Sequence, residues 1–480
     1  MTDKDAKRDM NYDVIIVGSG AGGCAAAYHL TQTDKKVLLL ERGRTLPADG
    51  STLDVNRVLK LGEFKTKEVW MDKDGKPVVP GEFPNLGGKT KWYGAALLRM
   101  SLREFESESE FNYREWPIRY DDLAPFYDEA ERLLGVRTFD IEPDMLHLLA
   151  DLQRVAPKWK RRAMPLGLSE HILSHPKEAR HFDGYALPNG LKADGESALL
   201  NRVKHQPNIT IVTDTEVTNL VADKNSCARI VGVQCANGEA YFADKILLAA
   251  GALHSPRLLQ RHVAHSGITL QGERALGSFY KCHLNSAMLV FSGSPRTDVL
   301  WKTVLLLNDQ FPHSSVQCIG GDLPGEILAT QIPGFVPTWF SSGLSRRVFG
   351  LFLTTEDSSH ADNRVTAKLN GEAAPQLNFD WARSPKARAE HRSLIQALRR
   401  ALLRLGFLVA TKNMPLEATA HACGTMAAGR DPSTSVVDKN GKVHGMENLY
   451  VVDGSVFARS ASVNPALTIY AWALRVAARL

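Results

Sequence analysis

The chain has 480 residues, with 44% apolar and 23% charged positions, an ordinary globular composition that excludes disordered, collagen-like and coiled-coil classes. Its 58 Lys+Arg against 53 Asp+Glu leave a net charge of +5. Spread over this length, that balance points to neither a nucleic-acid nor a membrane partner.

The N-terminus is polar and charged through Asp13, unlike a signal peptide. Asp13 to Val17 then reads as a buried parallel strand ending directly in glycine. Helix formers over Ala25 to Leu30 and a second strand, Lys36 to Leu40, complete a βαβ unit. Residues 43–110 are rich in Gly, Pro and Lys and read as a long excursion over a site. Tyr120 to Leu134 has the spacing of an amphipathic helix, whereas 140–195 is weakly patterned. Strands are expected near 209–212, 216–220, 230–233 and 245–250, all in the first domain. From about 283 the pattern becomes alternating strands, at 284–292, 301–307, 314–319, 347–354, 363–369 and 375–381, followed by a helix at 385–405. That segment reads as an antiparallel sheet backed by helices. The last sixty residues return to the earlier style, with a strand Leu449 to Val452 and a helix from Pro465 to Leu480, so the first domain is discontinuous. No run of about 18 apolar residues occurs, so no membrane-spanning helix is expected. Six scattered cysteines without a CxxC pair fit reduced thiols in a cytoplasmic protein, not a disulfide framework or zinc site.

The sharpest motif is Gly18-x-Gly20-x-x-Gly23, set between a strand and a helix, with Glu41 ending the next strand. Gly18 permits a tight turn, Gly20 lets backbone N–H groups approach a diphosphate, and Gly23 lets helix and strand pack closely. Glu41 can accept from ribose hydroxyls and disfavours a ribose 2′-phosphate, so a dinucleotide is expected. Asp453-Gly454, at the end of a late strand, reads equally as a helix cap or a ligand contact. Without further context, His421 reads as a turn or packing residue and Asn464, before a proline, as a helix-start residue.

Taken together, the N-terminal segment, Asn85-Leu86-Gly87-Gly88, Trp92 to Ala95, Ala249 to Pro256, His421 to Thr425 and Asn448 to Thr468 resemble the glucose-methanol-choline (GMC) family of FAD oxidoreductases. In detail they are most similar to bacterial sugar-oxidising members related to pyranose oxidases. The resemblance implies a Rossmann-like α/β FAD-binding domain over 1–282 and 412–480, and an α+β substrate-binding domain over 283–411. It places ADP on Gly18, Gly20, Gly23 and Glu41, with the Val217 backbone near the adenine. It places the isoalloxazine over Gly87, Gly88, Thr90 and the loop through Ala95, with Asp453, Asn464, Pro465 and Thr468 around the ribityl chain and pyrimidine ring. His421 and Asn464 match the catalytic pair.

The implied reaction oxidises a primary or secondary alcohol, on a sugar, glycoside, cyclitol or aminoglycoside-type precursor, to an aldehyde or ketone. His421 takes the hydroxyl proton while a hydride leaves for flavin N5. The electron acceptor, O2 or a quinone, dye or protein, is not written in any residue, nor is the oligomeric state. Two other readings of the resemblance are a lyase keeping FAD as a structural element and a flavoprotein subunit of an electron-transfer complex. The loop Gly87 to Trp92 contains no histidine, so FAD is expected to be non-covalent. Lys89 and Lys91 read as solvated, Cys423 as a small buried filler, and His283 as either lining the site floor or packing; no histidine cluster has metal-ligand spacing.

Overall fold

The computed structural model describes residues 11–331, 346–369, 374–418 and 420–480. The first strand, Asn11–Val17, has two parallel neighbours, Val37–Leu40 and Ala240–Leu248. Ile209–Val212 extends this sheet beyond Val37–Leu40, and Leu449–Val451 pairs in parallel with the end of Ala240–Leu248. The start of Ala240–Leu248 continues an antiparallel meander from Val217–Ala222 and Ile230–Cys235, making seven strands. Val14, Ile15, Ile16, Val37, Leu38 and Leu39 have no exposure, as strands covered on both faces require. Each such side chain contributes roughly 1.5–3 kcal/mol by its burial. Helix Ala466–Ala477 packs on both Ala21–Thr31 and Tyr120–Leu133. This is the expected Rossmann-like α/β layout, completed by a strand from the far end of the chain.

The second sheet has six antiparallel strands in the order Leu408–Asn413, Leu284–Phe291, Val348–Thr355, Ser314–Ile319, Val304–Leu307 and Lys160–Ala163. Helices Pro385–Arg404 and Pro143–Val155 back it. Their stripes, Leu394, Leu398, Leu402 and Met145, Leu149, Leu152, pack on Met288, Val290 and Leu351. One edge comes from the weakly patterned region before residue 195, and its Lys160-Arg161-Arg162 face keeps an exposed edge charged.

Two strands expected in that sheet belong elsewhere. The segments at 363–369 and 375–381 shorten to Arg364–Thr366 and Gln376–Asn378, which pair with each other. Gln376–Asn378 also runs parallel to Trp70–Asp72, itself paired with Pro77–Val78. Val365 and Leu377 bury their side chains with Trp70, Val78, Tyr280 and Phe379 in a separate cluster. Alternation along a strand fixes which face is buried, not which strand it joins. Among the described residues, no helix is long and apolar enough to cross a membrane.

Candidate active site

Four parallel strands, Asn11–Val17, Val37–Leu40, Ala240–Leu248 and Leu449–Val451, carry Gly18, Glu41, Ala249-Ala250 and Asp453 at or just beyond their C-terminal ends. These residues line one cavity of about 570 Å³, placed where ligands bind in open parallel sheets. Another part of its wall comes from the six-stranded sheet, through Ala287, Gln317, Ile319 and Phe352, and from Lys302 just before Val304–Leu307. His421, Asn464 and Pro465 also border it.

The glycine-rich turn divides its labour. A Cβ on Gly22 would lie 1.8 Å from the Val452 carbonyl oxygen, and one on Gly23 would lie 1.9 Å from that of Gly18, so helix and strand ends touch backbone to backbone. A Cβ on Gly20 would meet no atom of the described residues within 4 Å and would project into open space. Helix Ala21–Thr31 starts at Gly20 with neither a side-chain cap nor an acidic residue in its first turn. Its N-terminal N–H groups and the positive end of its dipole are therefore available to an anion.

Glu41 is buried and engaged with the turn. Its Oε2 accepts from the Ser19 N–H at 3.0 Å and the Ser19 hydroxyl at 2.6 Å, and its Oε1 accepts from the Gly43 N–H at 2.8 Å. Burial raises its pKa, against these hydrogen bonds. Asp453 is committed to capping. One oxygen accepts from the Gly251 N–H and Ser255 hydroxyl, where helix Gly251–Ser266 begins, and the other from the Ser455 N–H and hydroxyl. Its carboxylate has a structural task even though the residue lines the cavity.

The loop over 87–95 is pinned to residues 193–196. Thr90 Oγ1 accepts from the Gly195 N–H at 2.9 Å, and the Tyr93 hydroxyl donates to the Ala193 carbonyl at 2.6 Å. Lys91, expected in solvent, is instead buried between Asp194 and Glu196, at 3.3 and 2.7 Å. Lys89 is paired with Glu82 at 2.6 Å rather than solely with water. Arg42, Arg257 and Arg261 line the cavity too, and together with Lys89 they add to burial in depressing the pKa of His254.

His421 stands between two side chains. Its Nε2 is 3.3 Å from Asn464 Nδ2, and its Nδ1 is 2.8 Å from His283 Nδ1, with the two imidazoles edge to face. Phe352 lies edge-on to it at 6.1 Å between ring centroids. Burial, followed by the neighbouring His283, Lys89 and Lys302, holds His421 well below the ordinary histidine value of 6.5, so its ring is neutral. Asn464 Oδ1 accepts from Gln317 Nε2 at 3.1 Å, while Gln317 Oε1 is buried with no partner among the described residues. Lys302 Nζ donates to Asp183 Oδ2 at 2.7 Å, and both residues line the cavity.

Of the residues singled out from sequence, Gly18, Gly20, Glu41, Gly88, Thr90, Ala95, Val217, His421, Asp453, Asn464 and Pro465 border this one cavity. Three stand behind its wall. Gly23 packs against Gly18, Gly87 donates its N–H to the Ser19 hydroxyl at 3.0 Å, and the buried Thr468 hydroxyl is 2.7 Å from the Tyr127 hydroxyl. Gly22, Asp183, Lys302 and Gln317 escaped the sequence reading. A third glycine in Gly20-x-Gly22-Gly23 was a visible signal for the first, while the other three lie in segments whose pattern reports only burial. Cys423 is a fully buried thiol.

Comparison with known proteins gives a consistent pattern. Residues 13–279 match the model of the FAD dependent oxidoreductase family, and residues 359–473 that of the GMC oxidoreductase C-terminal region. The chain is 25% identical to paromamine 6'-oxidase of Streptomyces fradiae, over 98% of this chain and 91% of that protein. It is 24% identical to the fructose dehydrogenase large subunit of Gluconobacter japonicus, over 98% and 97%. Among solved structures, pyridoxine 4-oxidase from Mesorbium loti superposes with a TM-score of 0.72 at 19% identity, covering 98% of this chain and 99% of that one.

Proposed function

The chain belongs to the GMC oxidoreductases, a family of FAD-dependent oxidoreductases, and from that premise we propose that it oxidises a primary or secondary alcohol of a sugar-like substrate to the aldehyde or ketone, with His421 as the base. The observation that carries this reading is a shared cavity: the neutral His421 and its Asn464 partner border the same space as the uncapped helix N-terminus beyond Gly20.

The residues present fit FAD. The space left by the missing Gly20 side chain admits a diphosphate against N–H groups, and Arg42, Arg257 and Arg261 set cations along the same cavity. Gly18, Gly20 and Glu41 would hold the ADP part, with Gly23 fixing the helix behind them and the Val217 backbone beside the adenine. Gly88, Thr90, Ala95, Asn464 and Pro465 would border the ring system, with Gly87 and Thr468 supporting that wall and Asp453 capping the helix next to it. With no histidine over 87–92, we take the cofactor to be non-covalent. On this reading residues 1–282 and 412–480 form the FAD-binding domain and 283–411 the substrate-binding domain. Six free thiols fit a reducing compartment and support a cytoplasmic placement.

The cradle assignment makes a separable prediction. Gly20→Val should fold normally, because its new methyl groups enter open space, yet purify without FAD. A well-folded, yellow Gly20→Val protein would remove the diphosphate from this turn; circular dichroism and the flavin absorbance decide it.

Bound FAD supplies a two-electron oxidant that takes the hydride leaving the carbinol carbon. The chain's own part is proton handling and alignment. His421 Nε2 receives the hydroxyl proton, and the Asn464 amide, freed from His421 Nε2, donates to the developing alkoxide. The paired Lys302 and Asp183, and Gln317 beside Asn464, put polar side chains on the cavity wall for neighbouring hydroxyls, as a polyhydroxylated substrate requires. Relatives named for paromamine and fructose support the same substrate class. An anaerobic titration with sugars, glycosides, aminoglycoside precursors and simple alcohols tests the reading. The flavin band at about 450 nm should bleach with members of the first three groups. A protein that stays yellow with every alcohol is not this oxidoreductase. Readmitting air or a quinone to the bleached enzyme identifies the acceptor class by which one restores the colour.

A further inference from the structure

Two non-glycine residues in the left-handed backbone region meet beside His421. His283, at φ +64°, directs its imidazole Nε2 to the carbonyls of Ser460 at 3.1 Å and Ala461 at 2.9 Å, and Ala461 itself has φ +66°. Both residues are wholly buried. Such conformations are strained for residues carrying a side chain and persist only where the surroundings impose them. The surroundings are a carboxylate frame. Asp357 accepts from the Cys282 N–H at 3.0 Å and the Ser460 hydroxyl at 2.7 Å, gripping the chain on both sides of the contact. Glu356 accepts from the Ala461 N–H at 3.0 Å and is paired with Arg459.

We propose that His283 is a positioning residue that fixes His421 in its Nδ1–H tautomer, leaving the Nε2 lone pair for the substrate hydroxyl, and that it shares the proton His421 gains. The proposal rests on the reading of His421 as the base. Its logic is a sequence of donors and acceptors with one solution. Two carbonyls face His283 Nε2, and carbonyls only accept, so Nε2 carries hydrogen. Burial lowers the His283 pKa, which makes the ring neutral and its Nδ1 an acceptor. His421 Nδ1, 2.8 Å away, must then donate, which leaves His421 Nε2 bare and facing Asn464 Nδ2. Asn464 Oδ1 is turned toward Gln317 Nε2, and the sequence ends at Gln317 Oε1, which has no partner among the described residues.

The same arrangement serves the step that follows. Once His421 Nε2 holds the substrate proton, its Nδ1–H remains directed at a lone pair on His283, and the added charge spreads over both rings. The charged groups acting on His283 are Asp357 and Glu104, which favour that charge, as does its two-carbonyl contact; Lys89 and Lys302 act on His421 in the opposite sense.

Histidine-selective 15N NMR of the FAD-loaded protein reads the tautomer directly, with the His421 signals assigned by their loss in His421→Asn. The resting enzyme should show hydrogen on Nδ1 of His421 and on Nε2 of His283; hydrogen on His421 Nε2 overturns the proposal. Kinetics supply the second readout through two variants whose residue types accept φ near +64°. His283→Gly removes the acceptor and should lower the limiting rate of flavin reduction by about 10²-fold with the apparent substrate affinity little changed, between the loss of an orienting partner and a reversed tautomer. His283→Asp restores an acceptor-only group. It should regain at least about tenfold over the glycine variant and move the acidic limb of the rate profile to higher pH, since an adjacent carboxylate raises the pKa of His421. A glycine variant reducing its flavin within about twofold of the unaltered enzyme, or an aspartate variant no faster than the glycine one, reduces His283 to packing. Failure of the underlying reading looks different, because His421→Ala would then reduce its flavin as fast as the unaltered enzyme.

Discussion

Replacing His421 with alanine should slow reduction of the bound flavin by about 10²–10⁴-fold, the usual scale for loss of a general base, while the protein remains yellow. The substitution leaves the Gly20 opening, the uncapped helix and Glu41 untouched, so cofactor retention is independent of it. It removes the acceptor for the hydroxyl proton and leaves the Asn464 amide with only the alkoxide to address. In the unaltered enzyme the pH profile carries the same information. Because burial and nearby cations hold His421 well below 6.5, its base form persists through pH 6.5, and the rate should fall only at lower pH, as the imidazole protonates. Rapid-mixing absorbance of both proteins with an alcohol that bleaches the parent measures this. If the alanine variant bleaches as fast as the parent, another group takes the proton.

The second large effect concerns stability. Arg459→Leu should cost about 3–5 kcal/mol in urea unfolding, because it strands the Glu356 carboxylate in the interior. The pair is only 1% exposed on either side chain and is bidentate, Nε to Oε1 at 2.8 Å and Nη2 to Oε2 at 2.6 Å. Removing both charges in Glu356→Leu/Arg459→Leu should recover part of the loss but not all of it. Arg459 Nη1 also donates to the Arg103 and Glu106 carbonyls, which the double variant leaves without that donor. A single variant as stable as the parent would mean that water reaches Glu356. Activity should fall with stability, since Glu356 also holds the Ala461 N–H beside His283.

The cofactor side of the site was legible in the sequence because its determinants are local. Strand, turn and helix follow one another within 21 residues of Asn11–Thr31, and each glycine's role is set by neighbours a few positions away or by a strand with its own apolar run. His421 and Asn464 became candidates only through family resemblance, for nothing in a Gly/Ala-rich segment distinguishes a base from a packing residue. His283 could not be assigned at all. Its function depends on carbonyls 177 and 178 positions away, and a backbone carbonyl leaves no mark on composition or periodicity. Asp453 reads equally as cap or ligand contact in the sequence, because the Gly251 N–H and Ser255 hydroxyl that its carboxylate accepts lie about 200 positions away. The strands near 364–378 were readable as strands, but Gln376–Asn378 finds its partner Trp70–Asp72 about 300 residues upstream, and short strands can pair wherever an apolar face accepts them.

The contact between Gly22 and the Val452 carbonyl bears on the order in which the protein is made. The glycine turn is translated more than 400 residues before the strand that closes against it, Leu449–Val451. At about 5–20 residues per second the turn waits tens of seconds for its wall. During that interval the first βαβ unit can form from neighbouring segments, but Asp453, Asn464 and Pro465 do not yet exist. On the proposed site, flavin capture therefore waits for that strand and the residues after it, and a nascent chain stalled before residue 449 would present an apolar sheet edge at Ala240–Leu248 where the folded protein has a strand.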